Sequence, residues 1–118
     1  MEITSKILFK EWKLKKNAKE LTIMKISITG INKDGNTEKI IYSLYDEFNE
    51  TTNTSSMART TGYTATATVN LIIENLFNEK GVFPPEFVGK HKDCFDFVVN
   101  YLEDRDVIYK KQKLVKNG

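Results

Sequence analysis

Two segments of alternating side-chain character, joined by a tight-turn signal, limit this chain to folds that contain a β-hairpin. Apolar and polar side chains alternate from Leu21 to Ile31 and again from Thr37 to Tyr45, and this period of two is typical of β-strands. The intervening Asn32-Lys33-Asp34-Gly35 favours a turn, because Asp-Gly tolerates positive φ. Both faces of the second segment carry apolar residues, so we expect the hairpin to be covered on two sides, by another domain or a second copy.

Apolar residues recur at helical spacing in the second half of the chain. They predict a helix from about Thr61 to Asn78, preceded by a polar loop from Asp46 to Ser56. We expect Gly81 to stop this helix, and Pro84-Pro85 to prevent its continuation. The expected apolar stripe of the helix consists of Val69, Ile72, Ile73, Leu76 and Phe77.

A second helix and a closing strand complete the predicted elements. The helix runs from about Asp93 to Glu103, with Asp93 as its N-terminal cap, and the strand runs from Val107 to Val115. A weak strand pattern also covers Ile7 to Trp12. This order predicts an α+β fold, in which two main helices pack on a mostly antiparallel sheet.

Size and composition limit the function classes. A chain of 118 residues fits one domain and has little room for two lobes with a cleft between them. No apolar stretch reaches about 18 residues, the polar start does not resemble a signal peptide, and Cys94 is the single cysteine. These features indicate a cytoplasmic protein without a membrane partner. The lysine runs near both ends are not interleaved with aromatics, so they indicate a solvated face and not a nucleic-acid site: Lys10, Lys13, Lys15, Lys16, Lys19, Lys110, Lys111, Lys113 and Lys116.

Motifs for catalysis are sparse. The sequence contains no Gly-x-Gly-x-x-Gly and no Gly-x-x-x-x-Gly-Lys loop, so we expect no nucleotide cofactor to be bound by this chain alone. His91 and Cys94 are too few for a zinc site, and no metal is predicted. Their spacing would permit a nucleophile pair on one helix, but we expect Cys94 to be a small apolar residue and His91 to be exposed. No carboxylates form a recognisable acid–base pair, so the catalytic residues are unknown.

One stretch, Ser55-Ser56-Met57-Ala58-Arg59-Thr60-Thr61-Gly62-Tyr63, stands out by its hydroxyls, its cation and its glycine at a helix start. Unpaired N–H groups and the helix dipole there can hold a carboxylate or phosphate. Gly62 would let a ligand approach the backbone, and Arg59 could grip a carboxylate with two hydrogen bonds. The alternative is that the serines and threonines cap the helix and Arg59 is a surface charge.

The same stretch resembles the Ser-Met-Ala-Arg-Thr-Thr-Gly signature of the saccharopine dehydrogenase C-terminal domain. The sequence departs from the family pattern at Thr64 and Lys10, where relatives often carry proline. Three further segments resemble the family in the same order: Leu8-Phe9-Lys10-Glu11-Trp12-Lys13-Leu14-Lys15, Leu21-Thr22-Ile23-Met24-Lys25-Ile26 and Lys80-Gly81-Val82-Phe83-Pro84-Pro85-Glu86-Phe87-Val88-Gly89.

The resemblance implies part of an NAD(P)-dependent oxidoreductase that moves a hydride to or from the carbon beside an amine nitrogen, in saccharopine, carboxynorspermidine or lysine. It implies the substrate and dimerisation domain of a Rossmann-type dehydrogenase, with NAD or NADP bound by the other half of the full-length enzyme. Residues 1–89 would be the substrate-domain part, and residues 90–118 would return to the missing Rossmann domain. The implied substrate-binding residues are Met57, Ala58, Arg59, Thr60, Thr61 and Gly62.

Two function classes remain open from the sequence. The chain is either a substrate-binding part that is inactive alone, or a stand-alone binding or dimerisation module that keeps the fold. The expected partners are an amino-acid-type small molecule and either a second copy of the chain or a separate Rossmann subunit.

Overall fold

The computed structural model describes residues 3–6 and 18–116. Residues 3–6 are helical, and the predicted strand from Ile7 to Trp12 lies outside the described residues. The remaining elements form an antiparallel sheet of three strands in the order β1-β2-β3, with three helices inserted between β2 and β3. The α+β fold predicted from the sequence is confirmed. The elements are β1 (Leu21–Ile31), β2 (Thr37–Glu47), α1 (Ser56–Ile73), α2 (Pro85–Gly89), α3 (Lys92–Glu103) and β3 (Tyr109–Lys116).

The predicted hairpin supplies two of the three strands, with β2 in the centre of the sheet and β1 at one edge. Strands β1 and β2 pair along their full length, from Leu21 opposite Glu47 to Ile31 opposite Thr37. In the turn, Gly35 has a φ of 81°, which few other residues adopt without strain. The side chain of Asn32 accepts hydrogen bonds from the backbone N–H groups of Asp34 and Asn36. Local turn chemistry therefore sets the register of the hairpin.

Strand β3 begins two residues later than predicted, because Val107 belongs to the core and not to the sheet. Three residues after the end of α3, Asp106 adopts a left-handed conformation with a φ of 61°. The Val107 N–H donates to the Leu102 carbonyl at 3.0 Å, and this bond closes the helix end in a Schellman arrangement. The side chain of Val107 then packs with Leu44 and Leu102 in the hydrophobic core, and Tyr63, Val98 and Tyr109 surround this cluster.

Helix α1 begins five residues earlier than predicted. Ser55 caps it, since its Oγ accepts from the backbone N–H of Ala58 at 3.1 Å. The prediction rested on apolar residues that recur at helical spacing from Val69 onward, and these do not mark the first turns of the helix. In the structure the Thr60, Thr64 and Thr68 hydroxyls donate to carbonyls four residues earlier in the chain, which accommodates these side chains within the helix.

The end of α1 is also earlier than predicted. Asn75 adopts a φ of 58°, and the N–H groups of Asn75 and Leu76 donate to the carbonyls of Ile72 and Leu71. This Schellman motif terminates the helix with an asparagine. Gly81, the predicted stop signal, lies well beyond it.

The inward face of α1 differs from the predicted apolar stripe. The buried residues of the helix are Ser56, Arg59, Ala67 and Leu71, which recur at intervals of three, eight and four positions along one face. Most of the predicted stripe is exposed instead: Val69, Ile72, Ile73 and Leu76 are 56%, 56%, 66% and 40% exposed.

The two shorter helices follow the proline pair. Helix α2 starts at Pro85, at a first-turn position where a missing N–H costs nothing, and it was not predicted. In α3 the cap residue is His91 and not Asp93, which lies in the first turn. As predicted, Cys94 is buried and His91 is exposed.

Candidate functional site

A buried ion pair joins three parts of the fold at the start of α1. The Arg59 guanidinium contacts the carboxylate of Asp46, at the end of β2, with Nε 3.3 Å from both carboxylate oxygens and Nη2 3.2 Å from Oδ1. The two side chains are only 5% and 4% exposed. Nη2 also donates to the carbonyl of Arg105, after α3, at 3.1 Å. Arg59 therefore fixes α1 against both β2 and the α3–β3 connection.

Aromatic rings extend this contact. The Tyr63 ring centroid lies 5.8 Å from Arg59 Cζ and 6.0 Å from Arg105 Cζ. Arg105 also stacks on Tyr101, with its Cζ 3.4 Å from the ring centroid. These cation–π contacts orient both guanidinium groups.

The first turn of α1 already holds an anion that the chain itself supplies. The backbone N–H of Met57 donates to Oε1 of Glu20 at 3.1 Å, and that of Ala58 donates to Ser55. A negative charge at this position is favoured by the helix dipole. The Ser56 hydroxyl, fully buried, lies 3.0 Å from the Asp46 carbonyl oxygen and 2.7 Å from the Thr22 hydroxyl. The helix start is thus tied to β1 and β2.

The six predicted site residues divide between an anchor and an open surface. Arg59 is the buried anchor, with Nε and Nη2 engaged by Asp46 and by the Arg105 carbonyl. Thr60 is half-buried, and its hydroxyl donates to the Ser56 carbonyl. The other four residues are exposed: Met57, Ala58, Thr61 and Gly62. A Cβ added at Gly62 would meet nothing within 4 Å, so a ligand has room to approach there.

Two open clefts flank this segment. Arg59 lines one cleft of about 550 Å³ between the start of β1, the end of β2 and Asp106. Thr60 and Thr61 line the other, of about 470 Å³, together with Met24 and Tyr109. The signature residues therefore lie between two clefts, and the structure does not gather all of them into one pocket.

The cleft beside Arg59 is acidic. Two of its groups form an exposed ion pair, in which the hydrogen bond between Lys19 and Glu50 raises the pKa of the lysine and lowers the pKa of the carboxyl. Oε2 of Glu20 is buried and finds no hydrogen-bond donor among the described residues. This excess of negative charge favours a cationic group over an anionic one. The lining contains two cations, Lys19 and Arg59, and five carboxylates, Glu20, Asp46, Glu47, Glu50 and Asp106.

The described residues offer no recognisable cradle for a dinucleotide. Such cradles form where a strand of a parallel sheet runs through a glycine-rich turn into a helix, whereas every described strand pair is antiparallel. The β2–α1 connection contains no glycine. In residues 3–6 and 18–116, no three His, Cys, Asp or Glu side chains are placed to hold a metal ion, and no helix is long and apolar enough to span a membrane.

The family of the chain follows from a comparison with protein-family models. The model described as saccharopine dehydrogenase C-terminal domain matches residues 1–108 of the 118-residue chain. The chain belongs to this family. No curated protein and no solved structure matches the sequence significantly.

In this saccharopine dehydrogenase C-terminal domain, sequence reasoning missed the partners of the signature segment. Asp46 and Glu20 were not identified as site residues, although Asp46 binds Arg59 and Glu20 binds the backbone of Met57. Asp46 directly follows the predicted second strand, and Glu20 directly precedes the first. Because antiparallel pairing brings those two strand ends together, this spacing could have indicated an acidic cluster.

Proposed function

We propose that this domain is the substrate-binding part of an NAD(P)-dependent oxidoreductase that acts on the CH–NH group of an amino-acid-type amine such as saccharopine. The family match supports this function. NAD or NADP would bind to a Rossmann half in another domain or subunit, and the present domain would be inactive alone. We place the protein in the cytoplasm, consistent with its single cysteine.

The exposed side of the signature segment would form one wall of the active site. Met57, Ala58, Thr61 and Gly62 are exposed on the first turns of α1, and Thr60 lies at the edge of this surface. Substrate and the nicotinamide end of the cofactor would meet this wall when the Rossmann half is present. Arg59 holds the wall in place through Asp46. Because Asp46 already engages Nε and Nη2 of Arg59, a substrate carboxylate cannot take this bidentate position.

The acidic cleft suits the amine of such a substrate. A protonated amine supplies N–H donors and a positive charge, and Glu20 is one of the carboxylates that line the cleft. Hydrogen bonds between charged groups are stronger than neutral ones. The observation that carries this part of the proposal is the excess of carboxylates beside Arg59.

Calorimetric titration of the isolated domain tests the proposal. We expect saccharopine and lysine to bind, and glutarate and NAD(P)H not to bind, because the cleft selects a cation and the nucleotide site lies elsewhere. Tight NAD(P)H binding would contradict a nucleotide site that lies in another domain or subunit. Binding of glutarate without lysine would contradict amine recognition in the cleft and support a carboxylate site at Arg59.

The substitution Glu20→Gln separates charge from shape in the same assay. Glutamine keeps an oxygen for the Met57 N–H but removes the negative charge, and we expect lysine affinity to fall about tenfold, or about 1.4 kcal/mol. Glu79→Gln is the matched control, because Glu79 is exposed and lies outside the cleft. Equal affinities of the two variants would remove Glu20 from the site.

A stand-alone, non-catalytic binding or dimerisation module is the second candidate function. The exposed apolar residues of β1 favour it. This alternative predicts self-association of the domain without affinity for any of the amines.

A further inference from the structure

The helix-facing side of the sheet changes from apolar to basic across its three strands. Side chains that lie directly opposite each other in an antiparallel sheet share a face. Two such rows begin with isoleucine on β1 and end with lysine on β3: Ile26, Tyr42 and Lys111 in one row, and Ile28, Ile40 and Lys113 in the other. The Tyr42 ring lies edge-on to Phe95 of α3, with 6.3 Å between the ring centroids. The surface below the helices is therefore apolar, with positive charge along one edge.

A cavity of about 320 Å³ lies between this surface and the helices. Leu44, in the hydrophobic core, is 2% exposed, whereas Ile26 and Ile28, nearer the hairpin turn, are 42% and 54% exposed. The helices therefore cover the sheet less completely towards the turn. The described residues that line the cavity are uncharged, and its helix side includes the apolar stripe of α3: Phe95, Val98, Val99 and Leu102.

A second cavity of about 300 Å³ extends the first between α1, α2 and α3. Thr64, Phe95 and Val98 line both cavities, so the two spaces adjoin. The Thr64 hydroxyl already donates to the Thr60 carbonyl, and the described lining of the second cavity is also uncharged. Each volume lies at the lower end of the roughly 300–1,000 Å³ that is typical of ligand pockets. The fold thus holds an apolar space of a size that suits a small molecule.

Lys111 supplies a positive charge beside the first cavity. Its Nζ lies 5.7 Å from the ring centroid of Tyr42, which lines the cavity. Lys113, the lysine of the next row, pairs with Glu38 at 2.9 Å. Lys111 forms no ion pair with any described residue, so its charge is available to a ligand.

We propose that the cavity between the sheet and α3 binds an alkyl carboxylate, with its tail between the two layers and its carboxylate beside Lys111. An apolar cavity of about 150 Å³ holds benzene, so about 320 Å³ accommodates a tail of roughly ten carbons. Burial of the tail against apolar side chains is favourable, and the carboxylate complements the charge of Lys111.

This site is independent of the proposed amine site. The acidic cleft beside Arg59 shares no described lining residue with the cavity. Failure of carboxylate binding therefore leaves the amine proposal intact, and failure of amine binding leaves the carboxylate site intact.

Calorimetric titration with octanoate and decanoate, below the concentrations at which they form micelles, tests the role of the tail. Each methylene that leaves water should raise the affinity about fourfold, so decanoate should bind about fifteenfold more tightly than octanoate. We expect one site per chain. Decylamine has the same tail but a positive head, and it should bind more weakly than decanoate because Lys111 repels it.

Two lysine variants test the role of the carboxylate. Lys111→Gln should lower the affinity for decanoate about fivefold without lowering that for decylamine. Lys110→Gln is the matched control, because Lys110 is the preceding residue of β3 and lies on the opposite face of the sheet. It should bind decanoate as the unmodified chain does.

Two isoleucine variants test whether the ligand occupies this cavity. Ile28→Glu introduces a carboxylate into the apolar wall and should weaken decanoate binding at least about tenfold. Ile23→Glu is the matched control, on the same strand but on the opposite face, where Ile23 is 71% exposed, and its affinity should be unchanged. Both positions are exposed, and circular dichroism verifies that both variants are folded.

Several outcomes would overturn the proposal. They are the absence of decanoate binding, equal affinities for octanoate and decanoate, and equal binding by the two isoleucine variants. Equal decanoate affinities of the two lysine variants would contradict a carboxylate position at Lys111. A dimer that Ile28→Glu dissociates, without decanoate binding, would show that a second copy fills the cavity instead.

Discussion

Replacement of Arg59 by alanine is expected to destabilise the domain by about 3–5 kcal/mol, because it leaves the Asp46 carboxylate buried without its partner. Asp46 is only 5% exposed, so water cannot replace the guanidinium without a rearrangement of the fold. The loss is a large part of the roughly 5–15 kcal/mol that stabilises a typical domain. Urea denaturation, followed by circular dichroism, measures the effect.

Two controls separate burial from charge in this experiment. The double variant Arg59→Met, Asp46→Leu should recover much of the lost stability, since a buried ion pair is often replaceable by apolar side chains. Lys92→Ala breaks the exposed pair between Lys92 and Asp96 and should leave the urea midpoint within error. An Arg59→Ala variant as stable as Lys92→Ala would show that the Arg59–Asp46 pair does not hold α1 in place.

Replacement of Leu71 by alanine is expected to cost about 2–5 kcal/mol, because it opens a cavity under α1. Leu71 is only 1% exposed and is among the largest fully buried side chains. The same denaturation assay measures the loss. Stability equal to that of the unmodified chain would mean that α1 does not bury this face.

The neighbouring residue provides the matched control. Ile72 is 56% exposed, and alanine is the better helix former, so Ile72→Ala should be neutral or slightly stabilising. The sequence pattern alone predicts the reverse order, because it places Ile72 in the apolar stripe. The pair of variants therefore distinguishes the observed orientation of α1 from the predicted one.

Local signals predicted the hairpin, and long-range contacts explain why the helix was less well predicted. Alternation and the Asp34-Gly35 turn are short-range features, and they were sufficient for β1 and β2. The orientation of α1 depends on Arg59, whose partner Asp46 is thirteen residues away. A periodicity argument assigns apolar residues to the interior and cannot anticipate that a buried ion pair occupies it.

The candidate site was also predicted only in part, for the same reason. The sequence identified the segment from Met57 to Gly62 through its composition and its resemblance to a family signature. It could not show that Glu20 accepts a hydrogen bond from the Met57 N–H in the first turn of α1. This contact joins residues far apart in the chain and depends on the pairing of β1 with β2. The substrate-binding role of the six residues stays a prediction.

The most direct test of a substrate wall at the start of α1 is a nitrogen-15 NMR titration of the domain with saccharopine. We predict that the largest changes in amide chemical shift occur at residues 57–62 and at Glu20. All of these changes should fit the same dissociation constant. The same titration with glutarate should leave these amides unmoved. Shifts scattered over the surface, or confined to the strands far from α1, would contradict a substrate site on this wall.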